Sequence, residues 1–165
     1  VMFVGVALVE EFLKFLVVRE KVMPSAHLDE PVDLPLYLII SSLGFAAAEN
    51  ILVIVSPGLL QITLAKTAAL SLLRLVSAVL MHALASGTLG LFLAASFYQP
   101  KSQNRLIFLG FFLAVFLHGL DNFSIMVVTG PVRFAVPFLI LINLAIVLAI
   151  GFKKLSELKS VCKIN

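Results

Sequence analysis

Five apolar runs, residues 1–18, 34–55, about 72–98, 106–128 and 134–152, take up most of the 165 residues. Inside a bilayer no water is present to satisfy backbone N–H and C=O groups, so such segments must be helices or strands of a closed barrel. A spanning helix needs about 20 apolar residues, and these runs are close to that length. Barrel strands instead alternate apolar and polar side chains over about ten residues. The unbroken run from Leu106 to Leu117 does not alternate. The expected fold is therefore all-α, a polytopic membrane bundle of about five transmembrane helices.

Composition agrees, since 61% of residues are hydrophobic, against roughly 45–50% in soluble domains. Little chain is left over, so residues 1–165 read as a single transmembrane domain with a polar tail at 153–165. The net charge of +3 comes from Lys and Arg at segment ends and in the tail. That pattern suits membrane orientation; no basic and aromatic face invites RNA or DNA, so no nucleic-acid partner is expected. The lone cysteine, Cys162, excludes an intrachain disulfide, and its basic surroundings suit the reducing side of the membrane. Glu10 and Glu11 fall within the first apolar run, unlike a cleaved signal peptide, and the chain reads as an internal fragment of a longer protein.

The connections are polar or carry turn residues. Residues 19–33 hold Pro24, Pro31 and a cluster of acids; Tyr98-Gln99-Pro100 closes the third run, and Thr129-Gly130-Pro131 separates the last two. Ser56-Pro57-Gly58 ends the second run, and the stretch to about Leu70, with Gln61, Thr63 and Lys66, is expected to lie along the interface. Arg19, Lys21, Lys101, Arg105, Lys153, Lys154, Lys159 and Lys163 fall on one side, against Lys66, Arg74 and Arg133 on the other. Positive charge favours the cytoplasmic side, which places the C-terminus in the cytosol.

Seven ionisable residues interrupt the apolar runs: Glu10, Glu11, Lys14, Glu49, His82, His118 and Asp121. A charge at the bilayer centre costs roughly 2.5–3.5 kcal/mol on insertion scales, so these groups must face one another or a wet cavity. Counted along their spans, Glu10, His82 and His118 share a depth near the middle, with Glu49 nearer the outer face. A common cavity explains that coincidence better than independent packing does.

Each motif has a bland reading beside the functional one. Lys14 lies one turn from both Glu10 (i,i+4) and Glu11 (i,i+3), as either a packing ion pair or a device that keeps one carboxylate ionised. Phe45-Ala46-Ala47-Ala48-Glu49-Asn50 reads as a small-residue packing face that delivers Glu49, or as a local hydrogen-bond network with Asn50. His82, followed by Ser86, Gly87 and Gly90, sits on another small-residue helix. His118 precedes Asp121, placed to orient it, and Asn122, placed to donate to an oxyanion. Either histidine alone is most simply an interhelical hydrogen-bonder, and Arg74 an interface anchor.

Together the set allows hydrolysis in two ways. Glu49, His82 and His118 are candidate zinc ligands, since a catalytic zinc needs about three protein ligands and an open position. The same groups also act without metal if a glutamate takes a proton from water while His and Asn stabilise the oxyanion. No HExxH pair is present.

Glu10-Glu11-x-x-Lys14, Phe45-x-x-x-Glu49-Asn50, His82 on its small-residue helix, and His118 with Asp121 and Asn122 resemble the four motifs of the PrsW family of intramembrane proteases. That family is related to the prenyl-protein (CAAX) endopeptidases and bacterial immunity proteins. The resemblance runs from Glu10 to Asn122, in order, on four helices. It implies a multi-pass endopeptidase, often described as a metalloprotease, whose partners are membrane lipid and membrane-anchored protein substrates such as anti-sigma factors. Carried over by position, Glu10 and Glu11 would activate water and His118 would belong to the reaction centre, with Glu49 and His82 completing the set. Lys14, Asn50, Asp121 and Asn122 would support them. Against the CAAX relatives the chain departs twice: their first motif has Arg one position beyond Lys14, and their second ends in His where this chain has Glu49. Asn122 matches their His-x-x-x-Asn pattern. A proton- or ion-coupled transporter is the alternative reading, but it would favour paired broken helices and an internal repeat, and neither is evident. A non-catalytic scaffold built around the same polar core is the third.

Overall fold

A computed structural model describes residues 2–55 and 64–158 as five α-helices joined by short connections, with no strand among them. The side chains of Met2 and of most residues from 64 to 76 fall outside that description. So do the Ser56-Pro57-Gly58 break, the interfacial stretch with Gln61 and Thr63, the Lys66 and Arg74 side chains, and residues 159–165 of the tail, with Cys162.

The helices are α1 (Met2–Lys21), α2 (Asp33–Ile54), α3 (Leu64–Tyr98), α4 (Gln103–Val127) and α5 (Val132–Ser156). All-helical architecture follows from the apolar runs, because in lipid a helix satisfies its own backbone. The largest boundary difference is at α3, which starts at Leu64, where an interfacial segment was expected up to about residue 70; α1 and α5 also run on past their expected ends, to Lys21 and Ser156. Among the described residues, four segments are long and apolar enough to cross a membrane, namely Asp33–Ile54, Ser77–Tyr98, Pro100–Val127 and Val132–Ser156. The protein is integral to the membrane. Helix α1 is long enough, at 20 residues, but Glu10, Glu11 and Lys14 interrupt its apolar character, and Arg19, Glu20 and Lys21 end it.

The centre of the bundle is α3, which packs against α2, α4 and α5, while α1 lies against α2 and α4. Between Met81 and Leu91 nearly every α3 residue is buried. Close approach is set by glycine: a Cβ at Gly90 would stand 2.3 Å from the Cα of Pro35, and one at Gly151 would stand 2.3 Å from Cδ1 of Leu91. Gly130 takes a positive φ of 74° in the turn from α4 to α5, a conformation other residues adopt at a cost. The outer faces are apolar and turned to lipid. On α4, Phe108, Phe112 and Phe116 stack at i,i+4 with centroids 6.4 and 5.8 Å apart.

The inward stripes place the polar groups. On α1 the buried residues are Ala7, Glu11, Lys14 and Val18, spaced 4, 3 and 4 as one face of a helix requires. On α2 they are Leu34, Pro35, Leu38, Ser42 and Ala46, which carry the face toward Glu49. The expected three-alanine packing surface is narrower than the sequence suggests, because Ala47 and Ala48 rotate outward to lipid and only Ala46 is buried. A run of three neighbours cannot share one helical face at 3.6 residues per turn.

Candidate active site

Helix α1 supplies two adjacent carboxylates that meet different surroundings. The side chain of Glu11 is fully buried, and both its oxygens are taken. Oε1 accepts from Lys14 Nζ at 2.6 Å and from His118 Nδ1 at 3.0 Å, while Oε2 accepts from Ser86 Oγ at 2.7 Å. Three helices therefore converge on one carboxylate. Rotated by a residue, Glu10 stands on the wall of a cavity with its side chain 15% exposed. Its Oε2 lies 3.5 Å from His118 Nε2 and has no hydrogen-bond partner.

Lys14 is buried with its charge answered from several directions. Besides the ion pair with Glu11 it lies 2.7 Å from His82 Nδ1 and 5.1 Å from the centroid of the Phe45 ring. The local spacing left Lys14 open to either glutamate; the structure pairs it with Glu11, at i,i+3. On its far side the His82 ring places Nε2 2.9 Å from Oε2 of Glu49, whose side chain is 34% exposed.

The cavity, about 450 Å³, is partly open and is lined by all five helices. Glu10, Glu49, His82, His118, Asp121 and Asn122 form its polar end, and apolar residues such as Phe3, Met126 and Phe134 continue it toward the helix ends. The structure therefore brings every catalytic candidate except Glu11 to one wall. Asp121 is buried with Oδ1 unpartnered. It was expected to orient His118, but Glu11 takes that place, reaching the ring from across the α1–α4 interface. Asn50 has an interaction within the structure but does not line the cavity.

Ser86 and Phe45 belong to the site although the motifs gave them no role. Ser86 is four residues beyond His82, hence on the same face of α3, and that spacing was the available signal. Phe45 is the first residue of the second motif and lies under the lysine.

Nearly the whole chain, residues 1–150, matches the PrsW family intramembrane metalloprotease. The chain belongs to that family. Relatives named Protease PrsW include one from Geobacillus kaustophilus, 34% identical over 75% of this chain and 51% of its own length. Another from Bacillus subtilis is 29% identical over 85% of this chain and 61% of its own length. The chain thus spans about half to three fifths of the relatives it matches. No solved structure matches it.

A metalloprotease name implies a metal, and the donor set can be tested against one. Glu10, His82 and His118 each offer a ligand atom, all within 4.8 Å of one another. Catalytic zinc takes about three protein ligands as bare lone pairs. Both ring nitrogens of His82 are already engaged, one by Lys14 and the other by Glu49. Of the other cavity carboxylates, Glu49 is turned to His82, while Asp121 has an unpartnered Oδ1. The group could hold a metal ion once His82 lets go of Lys14 or Glu49, with Glu10 and His118 as the other donors; the chemistry below is derived from the side chains alone.

Proposed function

We propose that the protein is an intramembrane endopeptidase that hydrolyses membrane-anchored protein substrates, with Glu10 as the base that activates water. The observation that carries this reading is the unpartnered Oε2 of Glu10, buried on the cavity wall and 3.5 Å from His118 Nε2. A buried carboxylate oxygen without a donor is unfavourable and is best satisfied by a water molecule or a substrate. Glu11, its oxygens saturated, holds the constellation together instead.

In this reading a water between Glu10 and His118 gives a proton to Glu10 as its oxygen attacks the scissile carbonyl carbon. The carbonyl oxygen becomes an oxyanion and is stabilised by donors on the cavity wall, Asn122 among them. Collapse of the tetrahedral intermediate breaks the C–N bond, and Glu10 returns its proton to the leaving amine. The apolar remainder of the cavity suits a substrate segment that arrives through the membrane. An anti-sigma factor or similar single-span regulator is a substrate of that class. Membership of the PrsW family supports peptide hydrolysis as the reaction.

The test is cleavage of a single-span reporter in proteoliposomes by the wild-type protein and by Glu10→Gln. Loss of cleavage with retained thermal stability is expected. Turnover at the wild-type rate by Glu10→Gln would remove Glu10 from the role.

A further inference from the structure

The two histidine rings meet edge to face, with centroids 4.7 Å apart and planes at 80°, yet their hydrogen bonds run in opposite directions. A lysine ammonium can only donate and an ionised carboxylate can only accept. Nδ1 of His82, 2.7 Å from Lys14 Nζ, must therefore accept, which leaves the ring proton on Nε2, where Glu49 Oε2 receives it. Nδ1 of His118, 3.0 Å from Glu11 Oε1, must donate. In a neutral ring that bares Nε2, the nitrogen facing Glu10.

We propose that Lys14 and Glu11 are positioning residues that impose opposite tautomers on the two histidines, making His118 a proton acceptor and His82 a hydrogen-bond donor at the cavity. The two imposing groups are one ion pair on one turn of α1, 2.6 Å apart, so their polarities are locked together. With its charge balanced by Lys14, Glu11 does not call for a second cation, and His118 can serve it as a neutral donor. Ser86 and the Phe45 ring hold the pair from either side.

The catalytic meaning rests on the protease reading. A bare Nε2 on His118 can share the attacking water with Glu10. An N–H on His82 can turn from Glu49 to the oxyanion, whereas the reverse tautomer would oppose a lone pair to that charge. The two histidines are thus not interchangeable, although the sequence presents them alike.

The tautomers can be read without any cleavage assay, so failure here is distinct from failure of the protease reading. In protein labelled with 15N-histidine and reconstituted in lipid bilayers, protonated and bare ring nitrogens resolve by solid-state NMR. The chain holds three histidines, and His27→Gln removes the signal from the exposed loop. The expected pattern is Nδ1–H for His118 and Nε2–H for His82. Lys14→Met should release His82 to a mixture of tautomers, and Lys14→Arg, which keeps the donors, should restore the wild-type pattern. One shared tautomer, or a doubly protonated His118, overturns the proposal. So does a His82 that is unchanged in folded Lys14→Met. If that variant does not fold, the wild-type spectrum and Lys14→Arg decide.

Discussion

Glu10 and Glu11 are neighbours in sequence but face different surroundings: Glu11 is closed off by Lys14, Ser86 and His118, while Glu10 looks into the cavity with one oxygen unpartnered. One residue step on a helix is a rotation of about 100°, enough to carry a side chain from the packed interior to the cavity wall.

The two carboxylates should therefore fail differently. Glu10→Gln is expected to lose about 100-fold or more in cleavage, the scale of general-base catalysis, with nearly unchanged melting. Glu11→Gln should destabilise the protein by about 3–5 kcal/mol, because it leaves the buried Lys14 charge uncompensated. Reporter cleavage and thermal unfolding in one detergent separate the two. Equal loss of stability in both variants would count against the division of roles.

Ser86→Ala should cost about 1–3 kcal/mol, since Glu11 Oε2 then lacks its donor in the interior. Ser86→Thr, which keeps the hydroxyl, should retain more of the stability. A melting temperature unmoved by Ser86→Ala would mean that the hydrogen bond contributes nothing.

Helix spacing offers a prediction independent of chemistry. The methyl of Gly90→Ala would meet Pro35 backbone at 2.3 Å and should destabilise by about 1–3 kcal/mol. Gly44→Ala, with nothing within 4 Å, serves as its control and should change stability by less than about 0.5 kcal/mol. Similar unfolding midpoints for the two would show that α2 and α3 can separate freely.

Cleavage should persist at an unchanged rate after treatment with a strong chelator, with less than one equivalent of metal in the purified protein. The reason is that His82 has no bare nitrogen while Lys14 and Glu49 hold it. Chelator-sensitive cleavage restored by zinc would show that the ring is released from one of them.

Much of the fold was legible because lipid permits few solutions. The expected runs at 34–55, 106–128 and 134–152 lie close to α2, α4 and α5. The start of α3 was not, since the polar residues before position 72 resemble an interface whether or not the helix continues through them. Of the site, the shared depth of Glu10, His82 and His118 could be counted along the spans. The pairings could not. Lys14 meets a histidine 68 positions away, and His118 is held by Glu11 from another helix rather than by Asp121 on its own. Spacing within a helix gives the face of a residue, but the partner on the facing helix depends on rotation and offset that no single segment encodes. For the same reason Ser86 passed as one more small residue.

Backbone contact between α1 and α4 sits beside the chemistry. A Cβ on Gly119, the residue after His118, would come within 3.1 Å of the Cα of Val4, so main chain nearly touches main chain there. The separation of His118 from the two glutamates is then gauged by the thickness of two bare backbones. Such a gauge has little slack: a side chain added at position 119 would press on the Val4 backbone and push His118 away from the two glutamates.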